Sequence, residues 1–129
     1  MSIQIERRHE LPFVTLHLTY QGQTITLLNA LLDTGAASTI VASDIVEPLG
    51  IKPRLEDKID LIYGVGGVES VYLRQFERLE LGGRIMENLD VEIGGMDYGI
   101  AIDAIIGMDV LTELGAIINL RTLILTFAD

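Results

Sequence analysis

The chain has 129 residues, 49% of them hydrophobic, which suits one folded domain over residues 1–129 with a modest core and argues against disorder. Nineteen acidic residues against nine basic ones leave a net charge of −10, the wrong sign for holding phosphate backbones, so a nucleic-acid partner is not expected. There is no cysteine, which removes disulfides, thiolate metal sites and a cysteine nucleophile.

No apolar run approaches the length of a membrane-spanning helix. The opening MSIQIERRHE lacks the apolar stretch and small-residue cleavage site of a secretory signal, so the expectation is a cytoplasmic protein without a membrane partner. Residues 2–6 read as an edge strand that frays at Glu6 and Arg7. Residues 13–20, FVTLHLTY, alternate imperfectly and run into the polar turn Gln21-Gly22-Gln23. Residues 24–32, TITLLNALL, then form a second apolar segment that stops at Asp33-Thr34-Gly35. The pair reads as a hairpin, against a local competitor in which leucine and alanine make 24–32 helical.

Residues 43–49 suit a short helix, capped by Ser43 and ended by Pro48 and Gly50. Residues 58–76, KIDLIYGVGGVESVYLRQF, predict two strands around a glycine-rich tip. Leu79, Leu81, Ile85, Leu89, Val91 and Ile93 continue the strand pattern, broken at Gly82-Gly83 and Gly94-Gly95. Residues 104–107 predict a short buried strand. Met108 to Leu114 predict a helix with Asp109 near its start and Gly115 as its stop. Residues 116–120 and 122–127 predict a closing hairpin. The fold class is therefore all-β, with one or two short helices.

Asp33 is the leading candidate for chemistry. A carboxylate at the end of a buried strand is held rigidly, and a following glycine permits close backbone approach. Taken alone, Asp-Thr-Gly reads first as an ordinary Asx-type turn. The wider pattern goes further: LLDTGAAST resembles the catalytic loop of the retropepsin-like aspartic proteases. The likeness extends to PFVTLHL at 12–18, LIYGVGG at 61–67 and AIIGMDVLTELGA at 104–116, in the family's order and spacing.

What the resemblance implies is a closed β-domain, the single lobe of the acid protease fold, with a flap hairpin. Asp33 would meet its symmetry mate across a homodimer, and the two carboxylates would share a proton and activate water without metal or organic cofactor. Thr34 and Gly35 would support the active-site loop, and Ala36, Ala37 and Ser38 would border the substrate cleft. For Ser38 a plain polar loop residue is an equal reading, and no histidine base neighbours it. Ile62, Tyr63, Gly64, Val65, Gly66 and Gly67 would form the flap over an extended peptide. The same glycines also suit a simple turn; without a following Lys and Ser/Thr they are not a phosphate-binding loop. Ile105, Ile106 and Gly107 would support the cleft or the core. Asp109 reads as a structural cap or turn residue, and Met108 as core or pocket lining.

Three positions depart from the viral members of that family. Ala37 and Met108 stand where a charged residue and an arginine commonly pair, and Leu11 stands where an arginine precedes the proline. The extra tail, RTLILTFAD at 121–129, resembles the cellular and bacterial single-domain members more than the viral ones, and its hairpin would build the dimer sheet. His9 and His17 lack a metal-ligand cluster. Glu69, Glu77 and Glu80 read as solubilising, with attraction of basic substrate side chains as the alternative. The function implied is an aspartic endopeptidase acting on an extended peptide or protein; the competing reading is a catalytically silent peptide-binding or assembly module.

Overall fold

The computed structural model describes residues 1–64 and 67–129, the side chains of 63–69 excepted. Eleven strands and two short helices are assigned among them: β1 Ser2–Gln4, β2 Glu6–Arg8, β3 Leu11–Tyr20, β4 Gln23–Leu32, β5 Ile40–Ala42, α1 Ser43–Val46, β6 Asp60–Gly64, β7 Gly67–Leu81, β8 Arg84–Gly94, β9 Ala104–Ile106, α2 Met108–Leu114, β10 Ala116–Asn119 and β11 Ile124–Phe127. A 3-10 turn, Glu47–Leu49, follows α1.

Eight strands pair in the order β2-β3-β4-β9-β5-β8-β7-β6, and a further pairing of β3 with β7 closes a ring. Two joints are parallel: β4 with β9, which sets Leu32 beside Ile106, and β5 with β8. The remaining joints are antiparallel: β2–β3, β3–β4, β6–β7 and β7–β8 join neighbours in the chain across short turns, whereas β3–β7 and β5–β9 join distant segments. Alternation does most of the sorting, with a change of phase in β7 between Phe76 and Leu79. Leu16, Leu18, Leu27, Phe76, Leu79, Val91, Ile93 and Ile106 turn inward and are almost wholly buried, and Tyr20 meets Phe76 with ring centroids 5.6 Å apart.

Three hairpin turns place both central residues at positive φ: His9-Glu10, Gln21-Gly22 and Gly82-Gly83. That backbone matches the right-handed twist of the strands it joins. His9 and Glu10 lack the freedom of glycine, and an ion pair between Arg7 and Glu10 accompanies their turn.

The expected closed β-architecture is present, with local corrections. β7 runs on to Leu81, past the expected end at Phe76, because β8 pairs with it through Leu81↔Arg84. Residues 6–8 do not fray; they pair with β3, and the break from β1 falls at Ile5, whose side chain is buried. Ser43 does not cap its helix. Ala42 occupies that place without a side-chain bond, and Ser43 is the first helical residue. Gly50 does end the segment, with φ of +82°.

A second, three-stranded sheet has the order β1-β11-β10. It packs on the β7–β8 turn: a β-carbon at Gly82 would stand 2.8 Å from Ile3 Cγ2 and 3.0 Å from the Phe127 ring. Arg84 lies over that ring at 5.3 Å and donates to the Ala128 carbonyl. Among the described residues, no helix is long and apolar enough to cross a membrane.

Candidate active site

β4 ends buried at Leu31 and Leu32, and Asp33 emerges from it half-buried. Its amide donates to the Ile106 carbonyl at 3.0 Å, extending the parallel β4–β9 ladder by one residue. The chain then turns tightly. Gly35 N donates to Asp33 Oδ1 at 2.9 Å, and Ala36 N donates to the Asp33 carbonyl at 3.2 Å. One carboxylate oxygen is thus fixed by backbone. A β-carbon on Gly35 would lie 3.2 Å from that same oxygen, so a side chain there would press on the carboxylate.

The far side of the loop is locked to β9 and α2. Met108 N donates to the Ala36 carbonyl at 2.8 Å, and Asp109 N donates to the Ala37 carbonyl at 3.2 Å. Gly107 passes beneath: a β-carbon on it would stand 2.5 Å from the Ser38 carbonyl oxygen and 2.9 Å from that of Ala36. No side chain fits at that crossing.

Thr39 completes the lock, and sequence reasoning passed over it. Its side chain is 1% exposed. The Gly107 amide donates to Thr39 Oγ1 at 3.0 Å, and the same hydroxyl donates to Asp109 Oδ1 at 2.8 Å. Thr39 N donates to Asp109 Oδ2 at 3.1 Å. Asp109 is therefore more than the turn residue expected, since it ties the start of α2 to the end of the Asp33 loop. Gly107, not Asp109, occupies the N-cap place.

The structure brings together Asp33, Thr34, Gly35, Ala36, Ala37, Ser38, Ile106 and Gly107 in this one crossing. Thr34, Gly35 and Ala37 are exposed, Ala36 and Ser38 half-buried. Ile105 and Ile106 face opposite ways. Ile106 is in the main core, whereas Ile105 packs on a separate cluster of Phe13, Leu31 and Ile102, edged by Leu11, Met96 and Ile100. Leu31 precedes Asp33 by two residues, so strand alternation puts this apolar cluster on the carboxylate's side of β4. Leu11 is part of it. Ala37 and Met108 both lie exposed, without a charge between them.

Of the flap positions, the backbone of Ile62, Tyr63, Gly64 and Gly67 belongs to the β6–β7 hairpin, with Gly64 opposite Gly67. Val65 and Gly66 lie outside the described residues. Among the described residues, no group of three or more His, Asp or Glu side chains is placed to hold a metal ion.

A closed, mostly antiparallel barrel that presents an Asp-Thr-Gly loop on a β4–β9 crossing is the retropepsin-like lobe of the acid proteases. The sequence profile described as aspartyl protease matches residues 16–110, and the chain belongs to that family. A solved structure, titled a retropepsin-like aspartic protease from Rickettsia conorii, superposes with a TM-score of 0.67 at 17% identity, covering 98% of each chain. At that identity the likeness speaks for the fold. Because it spans nearly the full length of both chains, a bacterial protein shares this overall arrangement, tail included. No curated protein matches the chain in sequence.

Proposed function

We propose that the protein is an aspartic endopeptidase whose site is completed by a second copy of the chain. The observation that carries this reading is the Asp33 carboxylate, half-buried at a strand end with one oxygen held by Gly35 N. A held carboxylate is suited to proton transfer. One such group is half of the required machinery, and the sequence contains one Asp-Thr-Gly segment.

In the paired site, two Asp33 carboxyls share one proton, because like charges so close do not both ionise. The ionised one takes a proton from water as the water oxygen adds to the peptide carbonyl carbon. The protonated one gives its proton to the carbonyl oxygen. Collapse of that tetrahedral species breaks the C–N bond, and the nitrogen leaves with a proton. No bond to the protein forms. The partly buried rim of the cluster, Leu11, Met96, Ile100 and Ile105, offers an apolar wall for substrate side chains beside Asp33.

The second copy has a place to dock. β11 is paired on both sides, by β1 and β10, whereas the outer edge of β10 has no partner among the described residues. Ile117 on β10 and Leu120 just after it are 50% and 64% exposed. Twofold pairing of β10 with its mate would extend the sheet through the dimer and cover both.

The test is digestion of a peptide library by the wild-type protein and by Asp33→Asn. Cleavage that disappears with the substitution supports the peptidase. Peptide binding without cleavage by the wild type would instead make the protein a silent binding module.

A further inference from the structure

The β6–β7 ladder runs from Gly64↔Gly67 down to Asp60↔Val71 and stops there. Three residues back along the chain from Asp60 is Asp57, and three forward from Val71 is Arg74. These are the two positions that the same register would have set opposite each other. They are joined by side chains instead: Arg74 Nη1 to Asp57 Oδ1 at 2.9 Å and Nη2 to Oδ2 at 2.7 Å, a fork-to-fork pair.

The rest of the segment hangs on this pair. Arg74 Nη2 also donates to the Lys52 carbonyl at 3.0 Å. Arg54 N donates to Asp57 Oδ2 at 2.7 Å, and Asp57 N donates back to the Arg54 carbonyl at 3.1 Å. Residues 51–59 carry no regular structure, and Leu55 is fully exposed. Arg74 lies on the Tyr72 ring, 5.0 Å from its centroid.

Burial sets the pair apart. The Arg74 and Asp57 side chains are 7% and 10% exposed, while both members of every other ion pair among the described residues are at least 30% exposed. It is also an awkward pair to bury, because Arg74 Nε and the Tyr72 hydroxyl lie buried without a hydrogen-bond partner. Apolar side chains of similar volume would fill the space without that desolvation. What they could not do is fix a register between an irregular segment and a strand. A bidentate fork can, since it is satisfied at one relative position only.

We infer that Asp57 and Arg74 are positioning residues for the β6–β7 hairpin: they carry its register past the last backbone pair and so set how the hairpin meets an extended substrate. The second half of this statement rests on the peptidase reading above; the first does not.

Two measurements separate those halves. Amide hydrogen exchange is followed in wild type, Asp57→Asn, Arg74→Lys and the conservative Asp57→Glu, comparing β6 with the β10–β11 pair as an internal reference. The expected result for Asp57→Asn and Arg74→Lys is exchange about tenfold faster in β6, with β10–β11 unchanged and Asp57→Glu nearer to wild type. Equal acceleration in both regions would mean a general loss of stability and overturn the inference. The second measurement is the affinity of a fluorescent peptide from the library, read in the Asp33→Asn background so that turnover plays no part. Affinity about tenfold weaker with Asp57→Asn is expected. Selective loosening of β6 with unchanged affinity would overturn the substrate role. A peptide that neither binds nor is cleaved by any form would remove the peptidase reading, and with it the substrate half, while the exchange result still decides the register.

Discussion

Thr39 and Asp109 are joined twice, by the Thr39 amide and by its hydroxyl, and each bond uses a different oxygen of the same carboxylate. The hydroxyl also receives the Gly107 amide. One side chain thereby joins the end of the Asp33 loop to the strand below it and to the helix beyond.

Replacing Thr39 by valine keeps the shape and removes the hydroxyl. The Gly107 amide, in a buried bond, then loses its acceptor. Thr39→Val should lower stability by about 1–3 kcal/mol, measured by urea denaturation, and reduce peptide cleavage at temperatures where the variant is still folded. Unchanged stability would show that another acceptor takes over.

Gly107→Ala tests the crossing itself. The new methyl would meet the carbonyls of Ser38 and Ala36, which are backbone and have no side-chain rotamer to escape into. A loss of about 1–3 kcal/mol is expected from overpacking, together with a large loss of cleavage because the Asp33 loop must move. Thermal unfolding and cleavage of the same preparation check both.

Asp33→Asn keeps the size of the side chain and ends its proton transfer. Cleavage should fall by at least about a hundredfold, with circular dichroism and sizing unchanged. Full activity would remove Asp33 from the chemistry.

Sharing of the site is tested by unfolding wild-type and Asp33→Asn chains, mixing them equally and refolding, with differently tagged chains to verify mixed pairs. Random pairing leaves about one pair in four fully wild type, so activity should be about half that of the same amount of wild-type chain refolded alone. Undiminished activity in the presence of mixed pairs would mean an independent site on each copy.

Acid should reach the Asp57–Arg74 pair late. The hydrogen bond from Arg74, then that from the Arg54 amide, lower the Asp57 pKa from 3.8 to about 2. A lowered folded-state value stabilises the fold above the unfolded value, and that contribution is lost as pH falls through the folded one. Wild type should therefore shed this stabilisation between about pH 4 and pH 2. Asp57→Asn should lack that component of its pH dependence. Denaturation midpoints across that range, for both proteins, check it.

Several of these features were open to a reader of the sequence, and the difference lies in distance along the chain. The helix Met108–Leu114 was legible because Val110, Leu111 and Leu114 mark one face and Gly115, at φ +68°, ends it. Gln21-Gly22 announced its hairpin for the same local reason. β5 was not legible: it is three residues long, and its partners are β8 and β9, far along the chain. Thr39 was hidden because its hydroxyl partners lie 68 and 70 residues away. Ser43 misled because the residue before it already had extended backbone and took the cap position. The Asp33 loop stood out through the recurrence of a long pattern; the bonds that hold it rigid are contacts between β4, β9 and α2, which no short window contains.

The pairing of β11 with β1 limits the valence of the terminal sheet. While Ser2–Gln4 covers one side of β11, the four-residue β10 is its longer open edge, and a twofold contact there uses itself up after two copies. Displacing those three residues would exchange the short outer edge of β1 for that of β11, a strand as long as β10, and edges of matched length could then add chains one after another into a ribbon. Ile3, packed against the Gly82 turn, helps to hold that shorter edge in place.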